Sequence, residues 1–349
     1  MPRRVIDRRA FLGTSAGAFI CTIGGRRITV RSPEDAARAD AAARTVARPA
    51  QAEPDGPFPA PEPAPGGQRR EYWIQARSVR WDPVPTGRDD WHDVPVRGKR
   101  TFRALTYQAM TRGFARPLAP ASMPGPVLHA EVGDLLVVHF RNADEHFGQA
   151  LTMHPHGVRY NPDYDGSYLG VRTRPGGFVE PGEEFTYLWE ATPDSVGVWP
   201  YHDHGPNHML NTFRGLFGAI VVRERGAKAP DVEQVLFLHS LMPSVTGLRR
   251  TLQTINGRAY AGNTPTVRAR VGQDVALHVI GMDDAFHDFH IHGHRWRDAS
   301  GAFVDTPSVG PNETITARFV EDNPGRWLYH CHVFSHQDAG MAGWYVVDA

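Results

Sequence analysis

The chain has 349 residues, with 38 basic and 38 acidic side chains and a formal net charge of zero. This length suits two ordinary domains, each large enough to bury its own core. The balanced charge gives no indication of nucleic acid or an anionic surface as a partner, and histidine, with 18 residues, is the unusual component.

The N-terminus carries a motif typical of protein export. Arg8-Arg9-Ala10-Phe11-Leu12-Gly13 is followed by an apolar run to about Ile23, which resembles a twin-arginine signal. The run is too short to span a membrane. We therefore expect residues 1–30 to be a signal region and the protein to be periplasmic or extracellular, without a membrane partner. Cleavage after Ala50-Gln51-Ala52 is one option, and a disordered basic tail is the alternative interpretation.

The next segment differs in composition from the rest of the chain. Residues 31–68 are rich in Ala, Pro, Arg and Glu and are predicted to be disordered. From about residue 69, short apolar runs such as 135–140 and 218–222 alternate with turns rich in Gly, Pro, Asn and Asp. Long amphipathic helical periods are absent, so the sequence predicts an all-β sandwich architecture.

The chain also repeats itself in this region. Four segments of the first half match four segments of the second half in the same order, which indicates two copies of one domain. The matched segments are 131–135 with 270–274, 154–157 with 290–293, 181–186 with 311–316, and 201–204 with 329–332. We place the copies at residues 69–225 and 226–349, with the seam near residues 224–232.

The two copies differ in their chemistry. A cysteine with two histidines and a weak axial methionine is the ligand set of a blue copper site. The second copy has this set, whereas Cys331 corresponds to Asp203 in the first copy and Met341 to Phe213. The chain has two cysteines, and a chain cleaved beyond Cys21 would contain one unpaired thiol. Metal ligation gives that thiol a role.

Four His-x-His units lie in the duplicated segments, and the last of them encloses Cys331. Neighbouring side chains in a strand point to opposite faces, so the histidines flanking Cys331 can bind something that the thiol does not. From about residue 70 the chain resembles the two-domain small laccases of the multicopper oxidases. The motifs that carry the resemblance are His154-Pro155-His156-Gly157, Tyr201-His202-Asp203-His204, the run from His287 to Trp296, and the run from His330 to Met341.

The resemblance implies two tandem cupredoxin-like Greek-key β-sandwich domains and four coppers per chain. The type 1 (blue) copper would be bound by His287, Cys331, His336 and Met341. The type 2 copper would be bound by His154 and His290. The type 3 pair would be bound by His156, His202, His204, His292, His330 and His332. The blue copper then lies in the second domain, and donors are expected to reach it at an exposed edge of His287.

The resemblance also implies the reaction and the assembly. A laccase-type enzyme oxidises phenols and aromatic amines by one electron each and reduces O2 to water with four electrons. Asp165 is a candidate proton donor, Asp305 is its counterpart in the second copy, and Tyr160 is a candidate redox reserve. Because each copy supplies half of the trinuclear ligand set, we expect a cyclic homotrimer with clusters at the subunit interfaces.

Two other functions are compatible with parts of this pattern. A copper nitrite reductase also has two cupredoxin domains in a trimer, but its type 1 site lies in the first domain. A copper-binding or cuprous-oxidase protein of copper homeostasis is the other alternative. Methionine, with 8 residues, is too scarce to favour storage of copper.

Overall fold

The computed structural model of the protein describes residues 18–49 and 58–349. The twin-arginine motif at residues 8–13 and the proposed cleavage site at residues 50–52 lie outside the described residues. Within the two described ranges, no helix combines the length and the apolar composition that crossing a bilayer requires.

The described residues are mostly β-strands. The strands of the N-terminal part and of the first sandwich are β1 (Phe19–Ile23), β2 (Arg26–Val30), β3 (Arg69–Trp81), β4 (Arg88–Asp89), β5 (Val94–Pro95), β6 (Phe102–Met110), β7 (Val127–Glu131), β8 (Leu135–Asn142), β9 (His154–Pro155), β10 (Glu184–Glu190), β11 (Gly197–His202) and β12 (Phe217–Arg223). The strands of the second sandwich are β13 (Val232–Leu241), β14 (Leu252–Ile255), β15 (Val267–Arg270), β16 (Asp274–Gly281), β17 (His287–Ile291), β18 (Trp296–Arg297), β19 (Phe303–Val304), β20 (Ser308–Val309), β21 (Thr314–Val320), β22 (Gly325–Cys331) and β23 (Ala342–Asp348).

Helices are short and lie between strands. The α-helices in the described residues are α1 (Pro33–Arg44), α2 (His208–Phe213), α3 (Pro243–Thr246) and α4 (Phe334–Asp338). Single 3₁₀ turns lie at Arg112–Phe114, Pro162–Tyr164, Gly170–Arg172, Pro175–Gly177 and Pro193–Ser195.

Each half of the chain forms a two-sheet sandwich. Domain 1 pairs the sheet β10-β8-β3-β6 with the sheet β7-β12-β11-β9, and domain 2 pairs β14-β13-β16-β21 with β15-β23-β22-β17-β20. The duplication is visible in the pairing, because β3 is parallel to β8 in domain 1 and β13 is parallel to β16 in domain 2. The prediction of an all-β chain with two sandwiches is confirmed.

The duplication extends to individual side chains on the central strands. His139 on β8 lies between Thr186 and Glu71, with ring nitrogens 3.0 and 3.3 Å from their oxygens. His278 on β16 contacts a threonine and a glutamate in the same way, at 2.9 and 3.3 Å. These two histidines therefore have a structural role in the sheets, as their matched positions in the two copies indicated.

The two sandwiches share an apolar contact region. Phe217 of domain 1 and Phe237 of domain 2 have ring centroids 4.9 Å apart and are both fully buried. The indole nitrogen of Trp81 donates a hydrogen bond across the contact to the Gly257 carbonyl, at 2.7 Å. This buried seam holds the two sandwiches together as one unit.

The prediction of disorder over residues 31–68 is wrong where the structure describes the chain up to residue 49. β1 and β2 form an antiparallel hairpin, and α1 follows with Ser32 as its N-cap. Residues 18–30, the last part of the predicted signal region, include this hairpin. We call residues 18–49 the N-terminal unit. The alanine-rich sequence of α1 resembles that of a disordered tail, because the helix is buried by residues about 170 positions away in the sequence.

Candidate metal centre

The cysteine of domain 2 lies where two strands and a short helix meet. Cys331 is the last residue of β22, His287 begins β17 and His336 lies in α4. The sulfur is 3.8 Å from His287 Nδ1 and 3.7 Å from His336 Nδ1, and the two nitrogens are 3.2 Å apart. Two separate parts of the sequence, His287 and the segment from Cys331 to His336, thus direct three potential ligand atoms at a common point.

The fourth predicted ligand of the blue site is held in the same place by the backbone. Met341 is fully buried in the same apolar cluster as Cys331. The Cys331 amide donates to the Met341 carbonyl at 3.1 Å, and the Met341 amide donates to the His336 carbonyl at 3.1 Å. These two hydrogen bonds close the loop from Cys331 to Met341 around the site.

The distances fit a metal bound by one sulfur and two nitrogens. Metal–nitrogen bonds of about 2.0 Å and metal–sulfur bonds of about 2.3 Å place ligand nitrogens about 3.3–3.5 Å apart and sulfur about 3.5–3.7 Å from nitrogen. The observed separations lie close to these values. Since a thiolate and two imidazoles in a trigonal arrangement suit copper, the residues present fit a blue copper.

The electrostatics of this site favour the charged thiolate. Burial alone raises the pKa of the Cys331 thiol, but its contacts with His287 and His336 outweigh burial and lower the pKa to about 6. Burial alone lowers the pKa of His287, but Asp283 and the thiolate outweigh it and raise that pKa to about 9. These contacts thus favour the thiolate, which is the form of cysteine that binds a metal.

The sequence reasoning missed the carboxylate that orients His287. The Nε2–H of His287 donates to Asp283 at 3.0 Å, and the Ser240 hydroxyl donates to the same carboxylate at 2.5 Å. The expected exposed edge of His287 is wrong, because the side chain is fully buried with Asp283 covering its outer nitrogen. His336 is partly exposed and is the histidine of this site that solvent reaches.

A second group of histidines lies on the opposite side of Cys331. His330 and its register partner His290 face each other across β22 and β17. The ring centroids of His290, His292, His330 and His332 lie 5.2 to 5.6 Å apart in the contacts between them. The Nε2 atoms of His292 and His330 are 3.2 Å apart. These four residues, the domain 2 set, lie together as the sequence predicted.

Domain 1 repeats this arrangement with His154, His156, His202 and His204, the domain 1 set. Their ring centroids lie 5.1 to 5.8 Å apart in the contacts between them. The Nε2 atoms of His156 and His202 are 3.0 Å apart. The structure therefore brings each set of four together within its own domain.

Backbone carbonyls fix the protonation of matched histidines in both sets. The Nδ1–H of His154 donates to the Asp165 carbonyl at 2.7 Å, and that of His290 donates to the Asp305 carbonyl at 3.0 Å. His202 and His330 make the same contact with the carbonyl of the following residue, at 2.8 and 2.9 Å. With Nδ1 protonated, Nε2 carries the lone pair that can bind a metal.

The two sets also satisfy the charge and burial conditions for metal ligands. Burial and the neighbouring imidazoles lower the pKa of His156, His204 and His330 to about 4, so all three are neutral at pH 7. His204 Nδ1 is buried and has no hydrogen-bond partner among the described residues. A metal would give that nitrogen a partner, so the residues present fit copper.

Two of the predicted redox and proton residues lie beside the domain 1 set. Asp165 Oδ1 is 3.3 Å from His154 Nδ1, and Tyr160 stacks edge-on against His154 with centroids 6.0 Å apart. Burial and the Asp165 charge raise the pKa of Tyr160 to about 12. Burial raises the pKa of Asp165, but hydrogen bonds with His154 and Ser167 outweigh it, so the carboxylate is ionised at neutral pH.

The counterpart in domain 2 is arranged differently. Asp305 contacts His290 through its backbone carbonyl, and its side chain is exposed in a cavity of about 780 Å³ beside His290. The position of Thr306 matches that of Ser167, because its hydroxyl is 3.2 Å from His290 Nδ1. The structure thus gives no carboxylate contact to support Asp305 as the equivalent of Asp165.

Two more side chains beside the domain 2 set, those of Glu321 and Trp91, were not found from the sequence. His294 is buried between the His292 carbonyl, at 2.8 Å, and the Glu321 carboxylate, at 3.1 Å, so it braces the turn after β17 that carries His292. Trp91, from the β4–β5 loop of domain 1, stacks on His330 at 6.5 Å. A buried Glu321 and a loop tryptophan carry no local signal in sequence.

The two sets do not meet within one chain. In residues 18–49 and 58–349, the ring contacts of the domain 1 histidines stay within domain 1, and the histidine ring contacts of the domain 2 set stay within domain 2. His292 and His332 are exposed on the domain 2 surface. We call each of these two separate sets an open half-site.

Both sandwiches match models of one protein family. A model described as multicopper oxidase matches residues 230–349, and a second model with the same description matches residues 118–227. A crystal structure of a multicopper oxidase superposes with a TM-score of 0.64 at 24% identity, covering 82% of this chain and 92% of that chain. This likeness shows that both domains have the cupredoxin-like fold.

Curated proteins with related sequences are longer. A probable nitrite reductase-hydroxylamine oxidoreductase fusion protein of Kuenenia stuttgartiensis is 30% identical over 245 residues, which cover 65% of this chain and 28% of that protein. The ferroxidase HEPHL1 of Homo sapiens is 26% identical over 350 residues, which cover 81% of this chain and 30% of that protein. The chain thus spans less than a third of these relatives.

Proposed function

This chain belongs to the multicopper oxidase family, and from that premise we propose that it is a laccase-type oxidase. In the proposed reaction, four phenol or aromatic amine molecules each lose one electron and one proton, and one O2 takes up four of each to give two waters. Bound copper supplies the one-electron storage and the four-electron reduction.

One observation carries the proposal. β22 ends in His330-Cys331, and His332 follows it. The Cys331 sulfur faces His287 and His336, while the two flanking imidazoles, His330 and His332, belong to the domain 2 set. A covalent path through the backbone of adjacent residues therefore joins a thiolate site suited to single electrons with an imidazole site suited to O2. An electron carrier alone would not need the second group.

The residues around this path have separate tasks. His336, partly exposed, is where a donor can approach, since Asp283 covers the outer nitrogen of His287. Asp165 holds an ionised carboxylate beside His154 and can accept a proton from solvent and pass it inward. Tyr160, close to both, can supply an electron if donors run short.

The open half-sites support assembly of several copies. Eight imidazoles suit a three-copper cluster, and each chain presents them as two separate sets of four. A ring of three subunits, in which domain 1 of one chain meets domain 2 of the next, would complete three clusters. The exposed Phe334, 5.5 Å from His332 between ring centroids, gives this contact an apolar component. We also propose that the protein is exported to the periplasm or the extracellular space.

Oxygen uptake with different donors tests the function. Fully copper-loaded protein would be supplied side by side with a substituted phenol, an aromatic amine and Cu(I), and peroxide would be assayed with the oxygen consumed. We expect the aromatic donors to support turnover with four electrons per O2 and no peroxide. Turnover with Cu(I) alone would contradict the laccase assignment.

A metal-ion oxidase is the second candidate, and one observation favours it. The exposed Asp284 directly follows Asp283, which contacts the predicted ligand His287, so a surface carboxylate that could bind a metal ion is adjacent in sequence to the blue site. A relative of this chain is a ferroxidase. A nitrite reductase is not favoured, because the cysteine position of domain 1 holds Asp203, a buried side chain hydrogen-bonded by Thr152 and Asn211.

A further inference from the structure

The N-terminal unit, residues 18–49, is folded onto domain 1 beside the histidine set, and the proposed reaction does not account for it. We propose that this unit stays on the active enzyme as a permanent part of domain 1. We further propose that Asp40 within it is a positioning residue for the histidines of the domain 1 set. The first statement is independent of the proposed function, and the second rests on it.

Apolar packing holds the unit in place. One face of α1 carries Ala36, Ala39 and Ala43, all at most 3% exposed, and small side chains at this spacing let the helix approach closely. This face and the hairpin residues form one buried cluster with domain 1 and with α3. The cluster contains Cys21, Ile23, Val30, Leu210, Phe213 and Val245. Such burial is typical of a domain core and not of a removable segment.

A buried ion pair ties the same helix to domain 1. The Arg214 guanidinium, just after α2, donates two parallel hydrogen bonds to the Asp40 carboxylate, at 2.7 and 2.8 Å. The side chains are 4% and 10% exposed. The two parallel hydrogen bonds give this ion pair good geometry. Removal of one partner would destabilise the protein, because the other charge would stay buried without a counter-charge.

A continuous chain of buried hydrogen bonds runs from Asp40 toward the metal site. Asn207 donates to Asp40 at 3.0 Å and to Gln149 at 3.1 Å. Gln149 donates to Asn211 at 2.8 Å, and Asn211 donates to Asp203 at 2.9 Å. All five side chains are buried, so each contact is protected from competition by water.

The hydrogen-bond network ends at Asp203, where it fixes the positions of two predicted ligands. Asp203 lies between His202 and His204, and it accepts the Thr152 amide at 2.8 Å. The Thr152 hydroxyl in turn accepts the His204 amide at 2.9 Å. Asp203 occupies the domain 1 position that corresponds to Cys331 in domain 2, and its buried carboxylate holds the two histidine-bearing segments together. Asp40 lies at the other end of this hydrogen-bond network.

The position of the unit restricts how the chain can be processed. A cut at residues 50–52 would detach Asp40 from the chain and leave Arg214 dependent on a dissociable fragment. The small-residue sequence Ala16-Gly17-Ala18, typical of a signal cleavage site, directly precedes β1. A cut there would keep the whole unit on the enzyme.

Intact-mass spectrometry of the purified, copper-loaded enzyme tests retention. We expect an N-terminus at or before Phe19. A mature chain that begins after residue 49 and has full copper would overturn the proposal. This readout does not depend on which donor the enzyme oxidises, so failure of the proposed function would leave it intact.

Full-length Asp40→Ala tests the positioning role, with Glu34→Ala on the exposed part of α1 as matched control. We expect about a tenfold loss of affinity for the cluster copper, the low end of the cost of losing a supporting residue at a metal site. Blue absorbance per chain should stay unchanged, because that site lies in domain 2. The control should change neither the cluster copper nor the blue absorbance.

Asp40→Asn, which keeps the shape of the side chain and removes its charge, is the second variant, for the case in which the alanine variant does not fold. Unchanged cluster copper in both variants, or equal loss of blue and cluster copper, would overturn the role.

Discussion

At the residue scale, the two cysteines differ in their predicted roles, one in the metal site and one in the protein core. Contacts with His287 and His336 lower the pKa of Cys331, the predicted copper ligand, to about 6, whereas burial raises the pKa of Cys21 in the N-terminal unit. We expect Cys331→Ser to abolish the blue absorption and to lower donor oxidation by more than about 100-fold, beyond the cost of losing a supporting residue. Cys21→Ser should keep the blue absorption. Blue colour retained by Cys331→Ser would show that the sulfur is not the ligand.

Asp165 offers a second residue-scale prediction, on proton delivery. Its ionised carboxylate lies 3.3 Å from His154 Nδ1, so it is placed to accept and pass on protons. We expect Asp165→Asn to slow O2 reduction by about 10²–10⁴-fold, the usual contribution of a positioned acid or base. Asp163→Asn in the same turn is the control. A rapid-mixing measurement with fully reduced enzyme isolates this step, and an unchanged rate would remove Asp165 from it.

At the scale of elements, an ionic contact joins the end of β12 to the start of β13. Arg223 and His278 both contact the Glu233 carboxylate, with His278 at 3.3 Å. The hydrogen bond with His278 lowers the pKa of Glu233 most, burial raises it, and the contact with Arg223 lowers it further. The pKa of Glu233 therefore falls from 4.5 to about 2. A carboxyl with a lowered pKa stabilises the folded state above its unfolded pKa, and this stability is lost as the pH falls toward 2.

Chemical denaturation of the copper-free protein tests this contact. At pH 7 we expect Glu233→Gln to lower the free energy of unfolding by about 1–3 kcal/mol. The gap from the wild type should narrow at pH 3. The exposed pair of Glu184 with Arg141 is the control, and Glu184→Gln should cost less than about 1 kcal/mol. A gap that is the same at both pH values would contradict the ionic origin.

Sequence predicted the elements whose signal is local. Short apolar runs, turn residues and the internal repeat indicated the two sandwiches. The His-x-His units contain most of the predicted ligands that the structure brings together. The N-terminal helix was missed because its buried alanines need Leu210 and Phe213 to cover them. Asp283 was missed because an aspartate four residues before a histidine is common, and its contact with His287 arises only from the turn between β16 and β17.

At the scale of the whole molecule, the two open half-sites predict sharing between chains. His204→Ala would disable the domain 1 set, and His332→Ala would disable the domain 2 set. Each homogeneous variant should lack O2 reduction. Co-expression should restore up to about a quarter of the wild-type activity, since in random rings one contact in four joins two intact sets. No recovery in verified mixed oligomers would place the cluster within one chain.

Copper content per chain tests the central assignment most directly. One blue site and a cluster of three, with each cluster completed by a neighbouring chain, require four coppers for every chain. Metal analysis of fully loaded protein, with chain concentration from amino-acid analysis, gives this ratio. We predict four coppers per chain, of which one accounts for the blue absorption. Two per chain, as expected of a nitrite reductase-like enzyme, would contradict the multicopper oxidase mechanism proposed for this chain.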